Sequence, residues 1–148
     1  MVERNIPWAF TLGNHDAEGD LTASEIYNLD QEYPLSLTQR STFNIRGTTN
    51  YVLPVVSSNG STVAANLWFF DSNQNGCMGN QGWGCVERDQ IEWYRAESLD
   101  IKETNNNTVV PALGFLHIPL PEVSYCKPFH CLIASIWICG IMSKLWEI

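Results

Sequence analysis

Apolar residues in this chain fall into short runs cut by polar and glycine-rich stretches, and the runs alternate between strand-like and helix-like spacing. Ile6 to Leu12 is a compact apolar run between Asn5 and Gly13, the pattern of a buried strand. Thr22 precedes a helical repeat in which Ile26, Leu29 and Tyr33 would share a sheet-facing side. Thr22 suits the N-cap, Glu25 the first turn, and Pro34 stops the helix. Thr42 to Arg46 and Thr49 to Ser57 are rich in strand formers and broken by Gly47. Asn59-Gly60 signals a hairpin, and Thr62 to Asp71 is its returning strand.

Asn73 to Gly84 is rich in glycine and asparagine and reads as a loop, either a lid or a surface excursion. Glu87 to about Lys102 is the clearest helix, with acidic residues at its start and a lysine at its end. Its apolar stripe runs through Ile91, then Tyr94 or the stem of Arg95, then Leu99, with Trp93 beside Gln90. Val109 to Ile118 is a further buried strand ending at His117, and Pro119 and Pro121 give it a rigid exit. The large aromatics Trp8, Trp68, Phe69, Phe70, Trp83 and Trp93 are expected in the core. The order strand, helix, strand pair, helix, strand predicts an α/β layered domain.

Composition adds limits. At 148 residues the chain is long enough for one domain and one core. A net charge of −8 with no Lys/Arg cluster argues against a nucleic-acid partner. The apolar stretch from Phe129 to Met142 is shorter than the roughly 20 residues a membrane span needs. It reads as a buried C-terminal helix or a hydrophobic tail, and its His130 and Cys131 carry no functional reading.

Cys77 and Cys85 stand apart from the other cysteines and flank a glycine-rich span. They can staple a small loop by a disulfide, stay as two free thiols, or form half of a zinc site, although the spacing fits no standard zinc motif. Asn59-Gly60-Ser61 and Asn106-Asn107-Thr108 are glycosylation sequons and, with the cysteine pair, favour the secretory route. No signal peptide is visible at Met1 to Asn5, which keeps a cytoplasmic location as the alternative.

The chemistry concentrates in Gly13-Asn14-His15-Asp16, at the end of the first apolar run. Glycine permits a sharp turn there, and asparagine and histidine are neutral ligands for a metal or a phosphate. A plain Asx turn is the bland alternative. A second apolar run, Leu113-Gly114-Phe115-Leu116, delivers His117. Asp71 also follows a strand, where it either lines a site or caps a turn, and the turn is favoured.

With Asp71-Ser72-Asn73 and Gly82-Trp83-Gly84-Cys85-Val86, these motifs resemble the calcineurin-like metallophosphoesterase superfamily, in its purple-acid-phosphatase-like branch. The resemblance spans roughly positions 6 to 123. It implies part of an α-β-β-α sandwich with mixed sheets over residues 1–123, and a divergent hydrophobic tail over 124–148. In that family two metal ions (iron, manganese or zinc) bind a phosphate ester and activate a hydroxide. The resemblance assigns Asn14 and His117 as metal ligands. It assigns His15 as the catalytic group that contacts phosphate and protonates the leaving oxygen. Asp16 would cap the turn or orient His15.

The departures carry equal weight. The chain contains no Asp-x-His, no Gly-Asp-x-x-Asp and no Gly-His-x-His, so every ligand of the first metal is missing. The resemblance therefore implies the middle of a phosphoric ester hydrolase domain, incompetent alone. The alternative is an inactive family remnant that binds a partner. A phosphate ester is the expected substrate class, no membrane association is expected, and the oligomeric state is left open.

Overall fold

A computed structural model describes residues 2–41, 44–120, 131–134 and 136–140. After a single helical turn at Val2–Arg4, the elements are α1 (Ala23–Asp30), β1 (Tyr51–Val56), β2 (Val63–Phe69), β3 (Asn75–Cys77) and β4 (Asn80–Trp83). Then come α2 (Arg88–Thr104), β5 (Ala112–Leu116), β6 (Cys131–Ala134) and β7 (Ile136–Gly140). One sheet has the order β1-β2-β5-β7-β6, and β3-β4 form a separate hairpin.

The Asn59-Gly60 tip behaves as its sequence predicts. Gly60 adopts φ +70°, and the Ser57 amide donates to the Thr62 carbonyl at 2.8 Å, which closes the turn. This sets an antiparallel register from Tyr51↔Phe69 to Leu53↔Leu67. β2 then pairs in parallel with β5, from Asn66↔Ala112 to Phe69↔Phe115. The crossover between them holds the β3–β4 hairpin and α2. The sheet is mixed, and the chain is of the α/β class.

Alternation along β2 and the residue after it divides the core. Trp68 and Phe70 face α2 and meet Trp93, with ring centroids 5.6 and 5.9 Å away, both edge-on. Tyr94 closes on Trp68 at 4.7 Å, and Leu116 completes this cluster. On the opposite face Phe69 stacks between its two cross-strand partners, Tyr51 at 4.5 Å and Phe115 at 4.9 Å. The Tyr51 hydroxyl donates to the Phe10 carbonyl at 2.6 Å, fastening the segment before Gly13 to this face.

Several expectations are corrected. Ile6 to Leu12 forms no strand and makes only a parallel bridge, Trp8↔Ser36. Side-chain hydroxyls hold it instead: Thr11 Oγ1 donates to the Phe70 carbonyl at 2.7 Å, and Thr38 Oγ1 accepts from the Phe10 amide at 3.3 Å. Asn44 to Arg46 is not strand, and residues 42 and 43 lie outside the described residues. α1 has its expected N-cap at Thr22, which also forms a capping box with Glu25, but the helix stops at Asp30. No residue of α1 is buried, and Leu29 and Tyr33 lie about half exposed. Trp8 takes up the end of this helix, with Nε1 donating to Asp30 at 2.8 Å and its ring edge-on to Tyr33.

Asn73 to Gly84 is a hairpin rather than a loop, and Trp83, expected in the core, is 68% exposed. The buried stripe of α2 runs through Gln90 and Trp93, with Tyr94 and Ile101 beside the core, while Leu99 is exposed. The expected C-terminal helix is contradicted by β6 and β7, which extend the sheet from β5. The boundary drawn at 123/124, like His130, lies outside the described residues. No helix among the described residues is long and apolar enough to cross a membrane.

Candidate functional site

β2 and β5 run parallel, so both carboxyl ends open on the same edge, where loops of an α/β sheet gather chemistry. Two side-chain bonds fix what arrives there. Thr11 Oγ1 on the Phe70 carbonyl brings Gly13–Asp16 to the end of β2. Ser72 Oγ, fully buried, accepts the Ile118 amide at 3.0 Å and locks the exit of β5, one residue after His117, to the same place.

As a result His117 Nε2 lies 2.9 Å from Asn14 Oδ1, across 103 residues of sequence. Gly13 makes this approach possible. A Cβ there would sit 2.8 Å from His117 Cγ and 3.0 Å from Nδ1, so the imidazole packs on bare backbone. The Gly13 amide donates to Asp16 Oδ2 at 2.5 Å, so Asp16 closes the loop backward onto the glycine. His117 is exposed and Asn14 half-buried, which leaves the pair open to solvent.

The other predicted residues are placed differently. His15 is 72% exposed and pairs through Nδ1 with Glu18 at 2.8 Å. No hydrogen bond or ion pair among the described residues joins His15 to Asn14 or His117. Asp71 is buried, and its carboxylate accepts the Thr48 amide at 2.7 Å and the Asn73 amide at 3.0 Å. Those two bonds give it the turn-capping geometry, directed at Thr48 and Asn73 and not at the Asn14–His117 pair. Cys77 and Cys85 form a disulfide with Cα atoms 5.3 Å apart. Asn59 sits at the exposed hairpin tip, where its Oδ1 accepts from Ser57 Oγ, Ser61 Oγ and the Ser61 amide. Asn106 follows α2 with φ +55° and is exposed.

Sequence reasoning missed the polar hub behind the site. Gln90 is fully buried, and its Nε2 donates to Asn50 Oδ1 and to the Asp71 carbonyl, both at 2.6 Å. Its Oε1 accepts the Glu87 amide at 2.8 Å. Asn50 Oδ1 accepts the Asp71 amide as well, at 3.1 Å. Glu87 Oε1 takes the Met78 amide and the Arg46 guanidinium. The available signal was the Glu87-x-x-Gln90 spacing at a helix start, which is that of a capping box.

With the geometry in place, relatives are informative. The chain is 33% identical over 138 residues to probable inactive purple acid phosphatase 28 of Arabidopsis thaliana, covering 82% of this chain and 35% of that protein. It is 33% identical over 132 residues to phosphatase DCR2 of Saccharomyces cerevisiae, covering 82% of this chain and 22% of that protein. This chain is similar to purple acid phosphatases. The match extends to probable inactive purple acid phosphatase 14 of Arabidopsis thaliana at 30% identity, over 82% of this chain and 34% of that protein. The chain thus spans between a fifth and about a third of the length of these relatives. No protein-family model and no solved structure matches it.

Purple-acid-type phosphatases imply a metal centre, and the donor set tests the fit. Asn14 Oδ1 and His117 Nε2 converge as two donors. A bound ion of this class takes about four to six. Among the described residues, no group of three or more His, Cys, Asp and Glu can hold a metal ion. The described residues do not complete such a centre.

Proposed function

We propose that this chain carries one part of the site of a metal-dependent phosphoric ester hydrolase and does not turn over substrate alone. The meeting of Asn14 and His117 at 2.9 Å, at the carboxyl edge of β2 and β5, carries this reading. These are the two atoms a shared cation would use. In this reading His15, free of both, is the phosphate-facing group, and its exposure leaves it accessible. The sheet with α2 on one face is one half of an α-β-β-α sandwich. The missing donors are supplied by parts of the parent domain that carry Asp-x-His, Gly-Asp-x-x-Asp and Gly-His-x-His. The substrate is a phosphate ester, and a chain of net charge −8 does not bind nucleic acid. The disulfide and the exposed sequons favour the secretory pathway as its location.

A second reading, an inactive relative that binds without turnover, is favoured by the two-donor set and by relatives named as probable inactive phosphatases. The native transcript separates the two. An open frame continuing into the missing motifs supports the first reading, and true ends at Met1 and Ile148 support the second. For the purified chain, assay of para-nitrophenyl phosphate with manganese, zinc or iron is expected to give no saturable turnover. Turnover that disappears in His117→Ala would overturn the proposal of incompetence.

A further inference from the structure

The β3–β4 hairpin presents a feature that the phosphate-handling site does not use. We infer that its outer face is a binding site for a neutral saccharide. Asn75 and Trp83 are direct cross-strand partners, and Gln81 lies two residues before Trp83 on the same strand. The ladder is irregular between this pair and Cys77↔Asn80, and Asn75, Gln81 and Trp83 line one shallow depression of the hairpin. Trp83 is 68% exposed, and the side chains of Asn75 and Gln81 make no hydrogen bond to another described residue. Asn80 adds a third amide, tethered through Nδ2 to the Cys77 carbonyl with its oxygen left over.

A lone exposed tryptophan needs no explanation. Here the indole comes with uncommitted amides around one shallow, open depression. Glycines make up the rest of the lining, which leaves backbone groups open, and no ionisable side chain takes part. That chemistry selects a ligand with an apolar C–H face and many hydroxyls. A pyranose ring stacks its C–H face on indole, while primary amides both donate to and accept from its hydroxyls. The absence of a cation in the lining disfavours a phosphorylated or carboxylated ligand.

The face is also pre-organised. The Cys77–Cys85 disulfide closes the hairpin, the Met78 amide bonds Glu87 Oε1 at 2.9 Å, and the Gly84 amide bonds the Gln74 carbonyl at 3.2 Å. A ligand therefore meets a surface that need not be ordered first.

The test is calorimetric titration of the oxidised chain with cellotriose, chitotriose and mannotriose at millimolar concentration. Saturable binding of at least one is expected, weakened about tenfold or more in Trp83→Ala with an unchanged unfolding midpoint. The double variant Asn75→Ala/Gln81→Ala is expected to weaken binding while remaining folded, and it decides the matter should Trp83→Ala unfold. Failure of all three saccharides to bind overturns the inference, and so does binding that survives these substitutions. Trp83-dependent binding of adenosine or of phosphatidylcholine vesicles, with none of saccharide, overturns it too. None of these outcomes depends on phosphatase activity.

Discussion

Gln90→Leu is the sharpest perturbation of this fold, because one side chain joins α2, β1 and the end of β2. The substitution keeps the volume roughly constant and removes all side-chain polar atoms. Asn50 Oδ1 retains the Asp71 amide, and Asn73 Nδ2 retains the Cys85 carbonyl at 3.0 Å. The Asp71 carbonyl and the Glu87 amide lose their close partner from Gln90, in a place water does not reach. Each orphaned buried group costs about 1–3 kcal/mol, and the added apolar burial gives back roughly 1 kcal/mol. The net loss is about 1–5 kcal/mol, a large share of the roughly 5–15 kcal/mol that holds a typical domain together. Urea unfolding followed by tryptophan fluorescence measures it, since Trp93 and Trp68 sit beside the hub.

Gln90→Glu supplies the control. At neutral pH it puts a carboxylate, with no donor, against Asn50 Oδ1 and the Asp71 carbonyl, and it should be at least as damaging. Burial and two facing acceptors raise its folded-state pKa above the unfolded value. Stability is then fully present below the unfolded pKa and lost as pH rises through the folded one. The deficit against wild type should therefore shrink on acidification. A Gln90→Leu variant within about 0.5 kcal/mol of wild type would refute the reasoning, because that is the scale of an uninvolved surface change.

Other consequences are open to direct measurement. Gly13→Ala places a Cβ 2.8 Å from the rigid His117 ring, so a loss of about 1–3 kcal/mol and a shift of the His117 imidazole resonances are expected; an unperturbed spectrum would show that the ring has room. Burial pushes the Tyr51 phenol well above its ordinary value, so the unfolded chain loses that proton first. Stability is full below about pH 10 and falls above it by up to about 1.4 kcal/mol per pH unit, a slope that Tyr51→Phe should reduce in pH-dependent unfolding. Burial raises Tyr94 as well, and it accounts for slope that remains. Reduction of Cys77–Cys85, eight residues apart, should cost about 2–3 kcal/mol of hairpin constraint, seen as faster amide exchange in β3 and β4 with α2 unaffected.

The sequence was most legible where local chemistry acts alone. The Thr22–Glu25 capping box, the Asn59-Gly60 turn and the strand reaching His117 needed nothing from distant residues. It was least legible where a segment depends on its neighbours. Ile6 to Leu12 has the composition of a buried strand, yet its carbonyl and hydroxyl partners are Tyr51 and Phe70, not a paired strand. Leu29 and Tyr33 have helical spacing, but both stay about half exposed, with the Trp8 ring edge-on against Tyr33. Gln90 reads only as the neighbour of Trp93 in the helical stripe, and the convergence of Asn50 and Asp71 is what makes burial of its amide tolerable. Trp83 failed for the opposite reason: the disulfide and glycine-rich hairpin hold it away from the core that its size would favour.

The same distinction applies to the candidate site. The sequence motifs single out Asn14 and His117, but the distance between them depends on two hydroxyl bonds, Thr11 to Phe70 and Ile118 to Ser72, which no local motif announces. Those bonds tie each donor to the carboxyl end of the sheet through the covered aromatic row Tyr51–Phe69–Phe115. Protein contacts on both sides hold the 2.9 Å approach, so part of each group's positioning is met by folding rather than by binding. Pre-organisation of this kind strengthens whatever the pair can hold, yet it cannot raise the number of donors above two. Affinity for a cation in this chain is limited by coordination number and not by geometry. Adding a carboxylate near the pair is therefore the change that should raise affinity, whereas further rigidifying the Gly13–Asp16 loop should not.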